Sequence, residues 1–330
     1  MQPVFSGLFS LSFYLPKIFL LVLFLAGSIF AAESIVKVAD GSAVENDSAS
    51  VQKFKEKFSL RFLGDYTLWT VWNTDYGDEA LFSNAPVSFG LGFAYDDLFT
   101  LFGTSWDISW DFKMSFLLGS DEESSKVEAF ETGLDLFPGN WWIEMWLSYY
   151  SGFTVKTEKD GKTVRQFTEL TYTDLYISAL WMLTSRDKFS ARSAYFLDRR
   201  QKHSAGSLLV GGRVQGSNVE DPDSLLAFYN GNRVLASLWG NIGYTYTWVF
   251  SNGFFGNVWC DIGLAYGLSD EDKHEYTVFP EPNFKTAWGY IGEKWSWNIV
   301  LTAVYNAFSY DTYWEQELLV KGGVLVVRRF

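Results

Sequence analysis

Residues 87–95 read VSFGLGFAY, a stretch in which large apolar and small side chains alternate. The large side chains are those of Val87, Phe89, Leu91, Phe93 and Tyr95, and the small ones are those of Ser88, Gly90, Gly92 and Ala94. Successive side chains of a β-strand point to opposite faces. This period of two therefore predicts a strand with one apolar face and one small or polar face.

The same alternation recurs along most of the chain. Further runs alternate apolar positions with polar ones, among them Asp107 and Asp111, Glu144 and Ser148, Asn241 and Thr245, and Asn257 and Asp261. A water-soluble β-sandwich also alternates, but its strands average about 5 to 6 residues, and several of these runs are longer. Strands that cross a bilayer need about 9 to 11 residues each and must close into a barrel. The pattern predicts an all-β, transmembrane antiparallel β-barrel.

The composition agrees with such a barrel. Aromatic residues make up 19% of the 330-residue chain, while charged residues still make up 20%. This mixture is typical of strands that face lipid on one side and water on the other. The formal net charge is −13, and since phosphate binding requires a basic face, nucleic acid is not an expected partner.

The N-terminal region reads as an export signal. Lys17 precedes an apolar run from Ile18 to Gly27, and the small pair Ala31 and Ala32 offers a cleavage site, as in secretory signal peptides. Residues 1–32 are therefore predicted to be a cleaved signal peptide. The polar segment 33–57, rich in Ser, Asp and Ala, is expected to be a loose periplasmic leader, and 58–330 the barrel of a Gram-negative-type outer membrane.

About 12 strands are expected, with 10 or 14 as alternatives, because bacterial barrels have even strand numbers. The predicted strands are 58–72, 86–95, 98–118, 126–137, 141–156, 163–183, 188–215, 234–250, 254–268, 283–291, 295–309 and 314–330. The segment 188–215 is too long for one regular strand, so we interpret it as a strand whose middle bulges or turns inward.

Short and long connections alternate between these strands, as between the periplasmic turns and outer loops of such barrels. The short ones are predicted at Asp96–Asp97, Pro138–Asn140, Ser185–Asp187, Ser251–Gly253 and Gly292–Lys294, and the long ones at 73–85, 120–125, 158–162, 216–232 and 269–282. Aromatic residues flank the short turns in the manner of an interfacial belt. They are Trp141, Trp142, Trp248, Trp295 and Trp297.

The chain ends on an aromatic residue at the close of a strand. Leu318, Val320, Val324, Val326 and Phe330 share one face. A terminal aromatic residue of this kind resembles the signal that the barrel-insertion machinery recognises, so we expect Phe330 to be an assembly signal. Arg328 departs from the pattern, since an apolar residue is usual at that position.

Three stretches carry a family resemblance: residues 87–98 (VSFGLGFAYDDL), 134–153 (LDLFPGNWWIEMWLSYYSGF) and 189–212 (FSARSAYFLDRRQKHSAGSLLVGG). They resemble bacterial envelope proteins of domain of unknown function family 4421 (DUF4421). The likeness extends from about Phe58 to Phe330. It implies an exported β-rich envelope protein and no particular chemistry.

A cationic cluster interrupts the predicted strand 188–215 in an otherwise acidic chain. It consists of Arg192, Arg199, Arg200 and Lys202 with the neighbouring His203. Lumenal carboxylates that could pair with these cations are expected at Asp107, Asp111, Glu144, Asp174 and Asp261. The cluster is expected either to plug the lumen through internal salt bridges, or to bind an anionic lipid or sugar or constrict a pore.

These features favour a narrow or plugged channel or binding barrel for small or anionic solutes. A structural or adhesive barrel that acts through its outer loops is the alternative. A lipid hydrolase using His203 with Ser204 or Ser207 is disfavoured, because Ser204 points away from His203 in a strand and Ser207 is about 13 Å further on. With two histidines and one cysteine, no metal or cofactor is expected. The expected partners are outer-membrane lipid and the barrel-assembly machinery.

Overall fold

A computed structural model of the chain describes residues 50–73, 79–84, 87–101, 104–115, 127–159, 162–221, 232–269, 275–309 and 314–330. The description below concerns one compact unit, Ala49–Glu158 with Thr163–Phe330. The predicted signal peptide and most of the predicted leader lie outside the described residues. Among the described residues, no helix has the length and hydrophobicity needed to cross a membrane.

The described chain is almost entirely β-strand. The strands are β1 (Val51–Lys53), β2 (Phe58–Asn73), β3 (Glu79–Ser83), β4 (Val87–Leu101), β5 (Thr104–Ser115), β6 (Glu128–Pro138), β7 (Trp141–Lys159), β8 (Lys162–Met182), β9 (Arg199–Gln201), β10 (Ala205–Glu220), β11 (Asn232–Val249), β12 (Phe254–Ser269), β13 (Glu275–Ile291), β14 (Trp295–Ser309) and β15 (Trp314–Arg329). One short helix, α1 (Arg192–Tyr195), lies between β8 and β9.

Twelve of the described strands close into an antiparallel barrel, which confirms the predicted fold. Each neighbours the next in the order β2, β4, β5, β6, β7, β8, β10 to β15, and β15 pairs back with β2. In this closing pair Phe62 lies opposite Val326 and Ser59 lies opposite Arg329. We call the end that carries Phe58 and Phe330 the terminal end, and the opposite end the far end.

The two faces of the wall have the chemistry that the alternation predicts. Large apolar side chains remain exposed on the outside, including Leu68 at 54%, Leu91 at 61% and Leu238 at 63%. Inward-facing polar residues such as Thr245 and Asn298 are fully buried. An exposed apolar band around a closed barrel is a surface for lipid.

Three of the five tryptophans of the predicted aromatic belt are exposed at the terminal end, and a fourth, Trp248, is half-buried. Trp141, Trp295 and Trp297 are exposed at 44%, 49% and 40%, whereas Trp142 is only 5% exposed and lies inside the barrel. The expectation that Trp142 belongs to the belt is therefore wrong. Because side chains alternate along β7, two successive tryptophans cannot both face lipid.

The number of strands in the ring changes between the two ends. β2 pairs with β4 as far as Tyr66–Val87, and then with β3 at Thr70–Phe82. The other edge of β3 pairs with β7, from Ser83–Phe153 to Glu79–Thr157. At the far end, β3 thus takes the place of β4, β5 and β6, and a ring of ten strands succeeds the ring of twelve.

Several predicted boundaries are wrong. The predicted turn at Asp96–Asp97 lies within β4, where Asp97 adopts a φ of 53° and the register to β5 shifts. The long loops predicted at 73–85, 216–232 and 269–282 contain β3, the end of β10 and the start of β13. The predicted loop 120–125 lies outside the described residues. Residues 188–204 do not belong to a wall strand, since β10 begins at Ala205.

Candidate functional site: a segment inserted into the barrel

Residues 183–204, here called the inserted segment, connect β8 to β10 at the terminal end and cross the barrel interior. The amide of Asn298 on β14 donates to the Ala194 carbonyl at 2.5 Å. The Tyr195 hydroxyl lies 2.6 Å from Asn257 Oδ1 on β12. Arg192 Nη2 donates to Asp96 on β4 at 3.0 Å. Because β4 and β12 stand on opposite sides of the ring, a segment that contacts both must pass through the lumen.

The predicted leader takes part in this arrangement. β1 pairs antiparallel with β9, so that Gln52 lies opposite Arg200, and the Lys202 amide donates to the Ser50 carbonyl at 2.7 Å. The Phe54 ring packs against the guanidinium of Arg329, whose carbon lies 3.5 Å from the ring centroid. The expectation of a loose leader is therefore wrong for residues 50–57, since backbone pairing holds β1 in place.

Aromatic packing fixes the inserted segment against the wall. The Phe196 ring makes edge contacts with Phe137 and Trp142, with centroid distances of 5.0 and 5.2 Å. Trp142 also meets Trp259 edge-on at 5.6 Å. The inward-facing side chain of Trp142 is thus one of the surfaces against which Phe196 packs. Fully buried aromatic clusters of this size contribute several kcal/mol to stability.

A buried network of charges joins the inserted segment to β4 and β5. Arg192 contacts Asp107, and its Nη2 lies 2.5 Å from Asp198 Oδ2. Arg199 contacts Asp96, and its Nη2 lies 2.8 Å from Asp107 Oδ2. Side chains of all five residues are at most 7% exposed. The network combines two guanidinium groups with three carboxylates, which leaves no unmatched cation within it.

Burial disfavours the charged form of Arg192, but the carboxylates of Asp198, Asp107 and Asp96 outweigh this effect and raise the pKa of Arg192 above its usual value. Arg192 is therefore charged at every physiological pH. Breaking a buried pair leaves an uncompensated charge in the interior and is strongly destabilising. The network thus holds the inserted segment in place.

The other predicted cations lie at the edge of the network. Arg200 Nη1 pairs with the exposed Glu293 at 2.7 Å. Lys202 is half-buried and His203 is exposed. The structure therefore separates the predicted cluster into two buried arginines and three residues nearer to solvent.

Of the five predicted lumenal carboxylates, Asp107 belongs to the network. Asp111 pairs with Arg61 at 3.1 Å, Glu144 accepts from the Tyr176 hydroxyl at 3.0 Å, Asp174 accepts from Ser217 at 2.6 Å, and Asp261 accepts from the Trp259 ring nitrogen at 2.5 Å. The expectation that these four carboxylates pair with the cluster is wrong, because they lie on other parts of the wall.

Sequence reasoning missed two members of the network and one neighbour. Asp96 lies in a predicted turn, although it continues the inward face of Ser88 to Ala94. Asp198 is a second missed carboxylate. Arg329 is buried and donates to the Leu197 carbonyl and to Ser296 Oγ at 2.9 Å, so the last strand also contacts the inserted segment.

A cavity of about 340 Å³ lies in the lumen on the far-end side of the inserted segment. Leu209 on β10 packs against the segment, and Arg213, Gln215 and Ser217, further along the same strand, line the cavity. Its wall combines aromatic rings with charged and amide side chains. Small-molecule sites begin at about 300 Å³.

A family model confirms the resemblance seen in the sequence. The model described as domain of unknown function (DUF4421) matches residues 45–316. The chain belongs to this family. The match begins within the predicted leader, earlier than the Phe58 that we expected, and ends within β15, before Phe330. The DUF4421 match thus includes both the inserted segment and β1.

Comparison of the DUF4421 chain with curated proteins found no match. Among solved structures, the translocator domain of the autotransporter NalP from Neisseria meningitidis is similar at 12% identity and a TM-score of 0.42, covering 93% of this chain and 97% of that one. An outer membrane channel from Pseudomonas putida F1 is similar at 11% identity and a TM-score of 0.41, covering 88% and 100%.

The location of the DUF4421 barrel follows from its own surface. The ring is closed, its outer face is apolar and its terminal end carries exposed tryptophans. These are the properties of outer-membrane barrels of Gram-negative-type bacteria. The protein is an outer-membrane β-barrel.

Proposed function

We propose that the protein is a plugged barrel, which binds a small solute in its lumen and does not act as an open pore. The inserted segment carries this proposal, because buried ion pairs and aromatic packing hold it across the lumen at the terminal end. A barrel of 12 strands is wider than those filled by side chains and narrower than open channels of 16 to 18 strands. The state of its lumen therefore depends on what occupies it.

The charges of the inserted segment support closure more than anion binding. Arg192 and Arg199 are matched by three carboxylates, and Arg200 is matched by Glu293. An anionic solute would have to displace one of these carboxylates. We therefore favour the plug over an anion site at this cluster.

We also propose that the barrel is not a hydrolase. Ser204 Oγ accepts a hydrogen bond from the Val249 amide at 3.0 Å, and Ser207 Oγ accepts one from the Thr184 amide at 3.0 Å. His203 is exposed. These positions support structural roles for the two serines, because a nucleophile needs its base within hydrogen-bond reach.

Swelling of proteoliposomes in isotonic arabinose tests the plug. Proteoliposomes with wild-type protein should swell at a rate close to that of protein-free liposomes. Replacing residues 186–203 with a glycine-serine linker of equal length should raise the rate severalfold, while Glu293→Gln should behave as wild type. Rapid swelling with wild-type protein would reject the plug. Slow swelling with every variant would favour a structural or adhesive barrel.

A further inference from the structure

The lumen cavity has an excess of negative charge. Its charged lining residues are Glu131, Glu144, Asp174, Glu281, Glu317, Arg213, Lys285 and Lys321. Two of the cations are already matched, because Arg213 pairs with Glu281 at 3.0 Å and Lys321 pairs with Glu131 at 2.7 Å. The cavity therefore attracts a cation more readily than an anion.

Two of these carboxylates are held by neutral groups. Glu144 accepts hydrogen bonds from the Tyr176 and Ser178 hydroxyls at 3.0 and 3.4 Å. Asp174 accepts them from Gln215 Nε2 and Ser217 Oγ at 2.8 and 2.6 Å. Within the part of the chain that the structure describes, neither carboxylate forms an ion pair. Asp174 is buried and Glu144 is half-buried. A carboxylate withdrawn from water without a counter-ion is costly, and a cationic ligand would reduce that cost.

Three amide side chains around the cavity present oxygens that need donors. The amide nitrogens of Gln215, Asn283 and Asn306 donate to Asp174, Asp261 and Glu317 at 2.8, 3.1 and 2.8 Å. A carboxylate can only accept, so each amide must point its nitrogen at the carboxylate and its oxygen elsewhere. All three oxygens lack a hydrogen-bond donor among the described residues. These oxygens are themselves buried, so a ligand rich in N–H groups would satisfy them after a small rotation of the amide side chains.

The aromatic lining also suits a cation. The guanidinium carbon of Arg213 lies 4.3 Å from the centroid of Trp239 and 5.8 Å from that of Tyr176. Trp146 and Tyr172 line the same cavity. The faces of such rings attract organic cations.

We propose that this cavity binds a small organic ammonium ion, with Glu144 and Asp174 as its counter-charges and the oxygens of Gln215, Asn283 and Asn306 as acceptors for its N–H groups. This inference rests on the proposed function and names the solute class for the same lumen. A primary diamine such as 1,4-diaminobutane has the charge, the donors and the size that the cavity requires.

Isothermal titration calorimetry of the detergent-solubilised barrel tests the proposal with 1,4-diaminobutane as the probe. Wild-type protein should show saturable binding. Glu144→Gln and Asp174→Asn should each weaken it about tenfold or more, because each removes one charge-assisted interaction. Glu293→Gln, which removes an exposed carboxylate outside the cavity, should leave the affinity unchanged. Heat-modifiable gel migration shows that each variant is folded.

Three further probes separate this ligand class from others. Tetramethylammonium has charge without N–H groups and should bind at least tenfold more weakly than the diamine, while arabinose and Ca²⁺ should not compete with it. Equal affinity for tetramethylammonium, competition by either other probe, or no diamine binding by wild-type protein would overturn the proposal. Slow swelling with wild-type protein and rapid swelling with the linker variant, together with no diamine binding, would overturn this inference while leaving the plug intact.

Discussion

Arg199 of the inserted segment donates to Asp107 of β5 across 2.8 Å, although 92 residues separate the two in sequence. Both side chains are almost completely buried. This pair joins the connection between β8 and β10 to a wall strand that is not its neighbour in the ring, and so makes the inserted segment part of the folded barrel.

Arg199→Gln should lower barrel stability far more than the same change at the next residue. The substitution leaves Asp96 and Asp107 short of one cation, and breaking a buried pair costs about 3 to 5 kcal/mol. Arg200→Gln removes an exposed pair with Glu293, which is worth about 0 to 1 kcal/mol. The temperature of half-conversion in a heat-modifiability gel measures the difference. Equal shifts for the two variants would show that the buried network does not stabilise the fold.

Substitutions of the two adjacent tryptophans on β7 provide a second test variant with a matched control. Trp142→Ala should remove the wall against which Phe196 packs and cost about 3 to 5 kcal/mol, whereas Trp141→Ala removes a lipid-facing side chain. Trypsin should therefore cleave at Arg186 or Lys188 faster in the first variant than in the second. Cleavage at the same rate in both would contradict an inward Trp142.

Deletion of Phe330 should slow assembly and leave protease-sensitive material in the periplasm. Phe330 is 55% exposed, its ring lies 6.1 Å from that of Phe58, and its amide donates to the Phe58 carbonyl at 3.1 Å. Phe250→Ala, which alters another exposed aromatic residue at the terminal end, is the control. Pulse-chase labelling with protease treatment gives the measurement. Wild-type kinetics for the deletion would exclude an assembly role.

Leu81→Ala should loosen β3 and with it the ten-strand ring. Leu81 is 3% exposed and packs with Trp69 and Phe153, and such truncations cost about 2 to 5 kcal/mol. Phe82→Ala is the control, because Phe82 points to the other face of β3. Hydrogen exchange at residues 79–84 should accelerate more for Leu81→Ala. If hydrogen exchange at these residues accelerates equally in the two variants, packing of the inward face does not stabilise β3.

The barrel was predictable because lipid and lumen impose opposite chemistry on alternate residues. The same alternation also places two residues that the predicted turn and belt misplace: Asp96 continues the inward face of β4, and Trp142 lies on the same face of β7 as Glu144. A further signal is the apolar trio from Ala80 to Phe82 within a predicted loop, which is β3.

The interior of the barrel was less predictable. The inserted segment has no strand period, and its contacts with β4, β5 and β12 join residues far apart in sequence. The structure explains why Arg328 can stand where an apolar residue is usual. Its guanidinium carbon lies 5.1 Å from the Trp295 ring centroid and 4.9 Å from that of Phe330, so aromatic faces accept the charge at the barrel's outer surface.

Single-channel recording in planar bilayers tests the plug most directly. Wild-type protein and Arg200→Gln should conduct little, whereas Arg199→Gln should show frequent openings, because it weakens the network that holds the inserted segment across the lumen. A large, steady conductance of wild-type protein that neither substitution changes would contradict the plugged barrel.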